Sequence, residues 1–311
     1  MSPNFLACDR EQGLLLPPSL RDLLPEGHLA WFVLEAVEEI DLVDFYRVYR
    51  ADGHGGAAHE PEMMVALLVY AYSVGVRSAR AIERRCLEDV AFRVITANQT
   101  PDHATIARFR ARHEQAISDL FTGVLGLCAK AGLVKVGVVA GWVQGYNAQA
   151  LVGEGQIVLA AEISTDNYDT GNLEPMVATA LQELAAAGAN TTPGLVLADA
   201  GYWRNDAIEK IINEQHIQTL VAPDADKRKG PRPGRRGGLY GYTRQILATD
   251  AGAQLYLKRQ GLVEPVFGQI KSNRGFRRFS RRGRSAVRSE WRLLTATHNL
   301  LKLHQHQLRG A

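Results

Sequence analysis

Two carboxylates in this 311-residue chain have neighbours that could give them chemistry to do. Asp199 ends the apolar run Leu195–Val196–Leu197–Ala198 and is followed by the small pair Ala200–Gly201. A carboxylate at the C-terminal edge of a buried strand projects where α/β sheets place their ligand sites. The competing role is a cap for the turn that follows. Glu264 stands between Val263 and Pro265 in a basic stretch. Helical spacing puts Arg259 or Gln260 one turn before it, and Gly268 and Lys271 one and two turns after it. Glu264 is then either a site carboxylate or an ion-pair partner of Arg259 or Lys271. Pro265 predicts that a helix begins close by, which suits an acid in the first turn.

The third feature is cationic. Between Lys227 and Arg292 there are 18 Lys and Arg against three acids, whereas the rest of the chain carries a net charge of −12. That split hides behind an overall charge of +3 and predicts a polyanionic partner, with nucleic acid the first candidate. Lys227, Arg228, Lys229, Arg232, Arg235 and Arg236 fall in a Pro- and Gly-rich stretch, 224–238, that predicts a loop. The second group is Arg274, Arg277, Arg278, Arg281, Arg282, Arg284 and Arg288, interleaved with Phe276 and Phe279. These residues could grip phosphates and stack on unpaired ends. The alternative is a solvated helical face.

Elements must exist to position these groups. At about 150 residues per domain, the length suggests two domains. Residues 1–130 read as helical: Leu29–Tyr49 as one or two helices, one starting at Pro61 and breaking at Ser73–Gly75, then Ala79–Thr96 and His103–Ala129. Short helices with short turns suit a helix-turn-helix-like module or a helical bundle. From residue 131 the pattern changes. Val134–Ala140 and Gln156–Ile163 read as strands, with Trp142–Val152 between them as another. Helix 173–187, strand 194–198, helix 205–215 and strand 217–222 follow, and helical character resumes near Thr243. Three strands, then alternating helix and strand, is the order of an RNase H-like α/β fold: a mixed sheet flanked by helices, preceded here by an all-α domain.

Several separate stretches resemble bacterial insertion-sequence transposases of the three-carboxylate (DDE) class with an InsH-type N-terminal domain. They are Glu60–Met64, Gly75–Glu83, Pro101–His113, Leu197–Tyr202, Val263–Lys271, Asn273–Arg284 and Trp291–Leu303, in the family's order. The resemblance implies Mg²⁺- or Mn²⁺-dependent DNA strand cleavage and strand transfer on element ends and target DNA. It implies that Asp199 and Glu264 are the second and third metal carboxylates. It also implies that Tyr256, Arg259 and Lys271 are the accessory residues around the Glu, although the Arg-to-Glu gap is one residue longer than the commonest pattern. Carboxylates suit such chemistry because Mg²⁺ prefers oxygen ligands, and two ions can stabilise the attacking and leaving oxygens.

The chain departs from the family at one place. Where the family's first strand runs into an Asp-bearing segment and a long insertion, Ala140 here runs into Gly141–Asn147, which reads as the start of the second strand. No acid occurs between Lys130 and Gly153. The first carboxylate is therefore expected to be missing, metal to be weakly held and cleavage impaired. Glu154, Asp166 and Asp169 read more simply as turn residues than as substitutes. The alternative function is a non-catalytic DNA-end-binding protein, or an inhibitory partner of an intact transposase; a homodimer is a further expected assembly. Cys8, Cys86 and Cys128 are too few and too scattered for a disulfide framework and fit a reduced, cytoplasmic, nucleoid-associated location. No apolar run is long enough to span a membrane.

Overall fold

The computed structural model of the protein describes residues 19–49, 58–144, 148–164, 171–224 and 237–310. Among these, seven α-helices precede the sheet: α1 (Leu29–Glu38), α2 (Val43–Tyr46), α3 (Pro61–Ser73), α4 (Ala79–Glu88), α5 (Val90–Ile95), α6 (His103–Arg112) and α7 (Glu114–Lys130). Pro61 opens α3, where its missing N–H costs no helical bond. Two helices expected to be continuous are broken. Asp89 stays extended and accepts from the Ala91 amide at 2.9 Å, so it ends α4 and caps α5. His113 interrupts the next helix, buried among the rings of Phe45, Tyr49 and Phe109.

The sheet contains β1 (Lys135–Gln144), β2 (Ala148–Glu154), β3 (Val158–Ile163), β4 (Leu195–Ala198) and β5 (Gln218–Val221), in the spatial order β3-β2-β1-β4-β5. The first three strands are antiparallel, and β4 and β5 run parallel to β1. This is the mixed, RNase H-like order expected from the sequence. Five helices accompany it: α8 (Leu173–Ala186), α9 (Asn205–Glu214), α10 (Gly238–Leu247), α11 (Asp250–Gly268) and α12 (Arg284–Gly310).

The structure corrects two expectations. Residues 141–144 do not begin the second strand; they continue β1, and Gln144 lies opposite Ala148, so only residues 145–147 join the two strands. Nor does a helix begin near Pro265. Helix α11 starts at Asp250 and carries Pro265 in its interior. A proline there cannot donate to the carbonyl four residues back. That carbonyl, of Gly261, accepts instead from Gln156 Nε2 at 3.3 Å. The same Gln156 accepts from Lys302 Nζ (2.6 Å) and, at its carbonyl, from His298 Nε2 (2.9 Å), so the β2–β3 turn links α11 to α12.

Helix α12 packs against α3 and α7 and also against β3, and it is buried without interruption from Ser289 to Leu300. The helical region and the sheet therefore share one apolar core, running from Ala30 to Leu303. Burying polar side chains costs free energy unless they are hydrogen-bonded, and α12 spends its polar groups on backbone. Trp291 Nε1 donates to the Gln149 carbonyl at 2.9 Å. Asn299 bonds both the N–H and the C=O of Val158 at 2.8 Å each, standing in for a neighbouring strand at the sheet's β3 edge. Arg292 donates to the Ser118 carbonyl at 2.8 Å, pairs with Glu183 at 2.6 Å and lies 4.8 Å from the Phe121 ring.

His298 supplies a test of this seam. Burial holds its ring neutral, pushing the pKa from the ordinary 6.5 down to about 3. Above pH 6.5 the ring is neutral in folded and unfolded chains alike. As pH falls from 6.5 towards 3, the unfolded chain takes up a proton that the folded chain refuses, so stability drops. Urea unfolding at about pH 5 should show roughly 2 kcal/mol less stability from this residue than at neutral pH. His298→Gln should flatten that part of the profile, and a pH slope untouched by the substitution would count against a buried neutral ring.

Candidate active site and its basic flank

The parallel pairing of β1 with β4 sets the geometry of the site. Val138 is level with Leu195, Val139 with Val196 and Ala140 with Leu197. Counting two residues further on both strands, beyond the last paired residues, brings position 142 level with Asp199. A β1 carboxylate sharing a cation with Asp199 would stand at position 142. That residue is tryptophan.

Asp199 is half-buried and caps the 3-10 turn Ala200–Tyr202, with Oδ1 accepting from the Gly201 amide at 3.0 Å. Its Oδ2 takes no hydrogen bond among the described residues. The cap reading is borne out, and the cap orients the carboxylate.

Helix α11 packs over β1, β2 and β4, burying Val263, Val266 and Phe267; Ile270 continues the stripe in the π-helical turn Gln269–Asn273. The Tyr256 hydroxyl donates to the Ala198 carbonyl at 3.1 Å, tying α11 to the residue before Asp199. The Arg259 guanidinium lies 5.4 Å from the Tyr256 ring, and its Nε is buried without a partner among the described residues. Lys271 sits 5.5 Å from the Phe267 ring, half-buried, and loss of water pulls its pKa below the ordinary 10.5. Glu264 is two turns beyond Tyr256, about 12 Å along the axis. It is exposed and pairs with neither Arg259 nor Lys271, the alternative its spacing had offered.

Among the described residues, the other acids near the sheet do not fill the gap. Glu154 is paired with Lys135, at the opposite end of β1 from position 142 and roughly 20 Å from it along the strand. Glu162 pairs with Gln149 on β2, and it holds Arg288 in a two-pronged pair. Asp166 and Asp169 lie outside the described residues. Among the described residues, no group of three His, Cys, Asp or Glu side chains is placed to hold a metal ion. Asp199 and Glu264 are the two carboxylates to which the sequence resemblance gives a metal role, and carboxylate oxygens suit a hard divalent cation.

The arginines sort into two sets. Arg274 is a correction. It is buried, donates to Thr297 Oγ1 (2.7 Å) and the Leu294 carbonyl (3.2 Å), and burial lowers its pKa to about 10, so it props the core instead of meeting phosphate. Arg281 pairs with Glu114, and Arg288 with Glu162 and Ser118. Arg277, Arg278, Arg282 and Arg284 are exposed. Lys227, Arg228, Lys229, Arg232, Arg235 and Arg236 lie outside the described residues. Phe276 is a second correction: it is buried and stacked on Tyr72 at 5.6 Å, with the Arg77 and Arg274 guanidiniums each 5.7 Å away, so its ring packs into the core, although it also helps line the cavity beside Lys271. Phe279 remains partly exposed.

Sequence reasoning missed the residues that shape this flank. Glu290, 2% exposed, accepts from the amides of Ser280 (2.9 Å) and Arg281 (3.1 Å) and from the Ser280 hydroxyl. Its only signal in the sequence was to be the lone acid between Lys271 and Arg292. From the helical region, Arg77 donates to the Arg278 carbonyl, and Arg110 in turn holds the Arg77 carbonyl at 2.9 Å. Gly75 approaches so closely that a Cβ would lie 2.9 Å from the Arg274 carbonyl oxygen, and its φ of +81° also favours glycine.

Two known families match the chain. Residues 137–300 match the family described as "Transposase DDE domain", and residues 18–112 match "Transposase domain (DUF772)". No curated protein and no solved structure matches the chain.

Glu290→Ala should leave three donors without their acceptor, costing about 1–3 kcal/mol. It should also lower DNA affinity several-fold although no cation is removed, and Glu290→Gln should recover part of the loss. Affinity measured by fluorescence anisotropy and unchanged in both variants would show that the loop holds its shape without Glu290.

Proposed function

The chain belongs to the DDE transposase family, and from that premise we propose an insertion-sequence protein that binds element ends but whose strand cleavage and strand transfer are lost or severely reduced. What carries this reading is the β1–β4 pairing, which, continued two residues beyond Ala140 and Leu197, sets Trp142 beside Asp199, with no acid from residue 131 to residue 153. Asp199 and Glu264 are the proposed metal carboxylates. Mg²⁺ or Mn²⁺, when bound, supplies charge stabilisation for in-line displacement at phosphorus; two carboxylates hold it weakly. Tyr256 fixes α11 against the end of β4. Arg259 and Lys271, with incompletely solvated charges beside that end, are placed to attract a phosphodiester. Arg277, Arg278, Arg282 and Arg284 hold the backbone further out, together with the basic stretch that contains Lys227 and Arg236.

The same gap at position 142, combined with an intact basic flank, favours a second reading: a non-catalytic end-binding protein or an inhibitory partner of an intact transposase, acting as a homodimer or in a mixed assembly. A DNA partner places either form at the nucleoid in the cytoplasm. No helix among the described residues is long and apolar enough to cross a membrane.

Incubation of the purified chain with matched element ends and Mg²⁺ or Mn²⁺ should give little or no nicking. Trp142→Asp should raise it, and adding Asp199→Ala should remove the gain. Robust nicking by the unaltered chain would refute the reading.

DNA binding is tested separately by changing Arg277, Arg278, Arg282 and Arg284 to Ala. Affinity should fall, and the salt slope should shrink by about 0.9 for each phosphate no longer neutralised. Unchanged affinity and slope in a mobility-shift assay would remove these arginines from the interface.

A further inference from the structure

Beside Lys271 lies a cavity of about 320 Å³, between the end of α11, the loop that follows it and α12. Ala148, the first residue of β2, also lines it. It therefore sits at the same end of the sheet as Asp199, because β2 starts where β1 ends. Its walls include Phe267, Trp291 and the partly exposed Phe279. Phe267 and Trp291 are nearly parallel, 24° apart with centroids at 5.7 Å, and Phe279 stands edge-on to Trp291 at 89°. Trp291 spends its N–H on the Gln149 carbonyl, so the indole offers the cavity apolar surface. Among the described residues, the charged members of the lining are Lys271, Arg277 and Arg278, and no acid is among them.

We infer that this cavity takes one unpaired nucleobase of the DNA strand whose phosphates meet Arg277 and Arg278. The inference rests on the DNA-end reading above. The occupant must be flat and apolar-faced to fit the aromatic walls, and joined to negative charge to suit the cationic rim of Lys271, Arg277 and Arg278. A base on its phosphodiester meets both demands. The volume lies at the low end of ligand cavities, which suits a single base and excludes a duplex. Stacking on aromatic side chains tolerates any base, since every base has a π-face. The cavity thus recognises that an end is unpaired, not what its sequence is.

Anisotropy titrations of the full chain with three probes test this: a short blunt duplex, the same duplex with one unpaired 3′ adenine nucleotide, and the same duplex with an unpaired abasic residue. The adenine-bearing probe should bind about tenfold tighter than the abasic one, within the range a stacked base contributes. The abasic and blunt probes should bind alike. Phe279→Ala should abolish the preference while the chain still binds blunt duplex, and the more conservative Phe279→Leu should reduce it, guarding against a misfolded variant. Arg277→Ala with Arg278→Ala should weaken all three probes together. Equal affinity for the three probes, or a preference that survives both Phe279 substitutions, overturns the base site alone and leaves the cavity to another occupant. Binding to none of the probes overturns the DNA-end reading as well.

Discussion

Parallel pairing of β1 with β4, fixed by the burial of Val139 and Ala140 beside Val196 and Leu197, determines which residues reach the Asp199 end of the sheet. Val139 and Ala140 point to opposite faces of the sheet and both are fully buried, so a slip of β1 along β4 would disrupt fitted packing on both sides. The chain therefore cannot bring another residue of β1 to the level of Asp199 by sliding. Nor can it supply an acid from nearby, because none exists from residue 131 to residue 153. The direct hairpin from Gln144 to Ala148 closes the remaining route, leaving three residues where an acid-bearing extension would begin. Neither β1 nor the turn after it thus offers an acid level with Asp199, and on the proposed reading this separates binding DNA from cutting it.

The surface that would bind DNA depends on a different constraint. Helix α12 packs on both the helical region and β3, and its buried polar residues fix it by bonding backbone. Glu290, on the same helix, gathers the amides of Ser280 and Arg281, while Arg77 holds the Arg278 carbonyl from the other side. The exposed arginines are consequently presented on a loop held from two directions. Such preorganisation lowers the ordering cost of binding.

Much of the fold was legible because its signals are local. The apolar run before Asp199 identifies β4 and its turn, Pro61 marks the start of α3, and the strand spacing gives the sheet order. What escaped depends on distant contacts. Pro265 reads as a helix start until Gln156, 105 residues earlier, is seen to satisfy the Gly261 carbonyl. Arg274 looks like its neighbours in an Arg-rich run, and only the position of Thr297 and Leu294 shows that it is buried. The extension of β1 through Gln144 was hidden because the Gly141 and Gly145 that flank it mimic a strand boundary. At the site itself, Asp199 and Tyr256 were identifiable from pattern and resemblance, whereas Glu290 gave no signal beyond its isolation among arginines.

The most direct test of the two-carboxylate site is a count of Mn²⁺ bound per chain by electron paramagnetic resonance, with Asp199→Ala as the control. The expected result is at most one weakly held ion, lost in the variant. Two tightly bound ions that both depend on Asp199 would contradict it, because they would require a third ligand that the register of β1 does not provide.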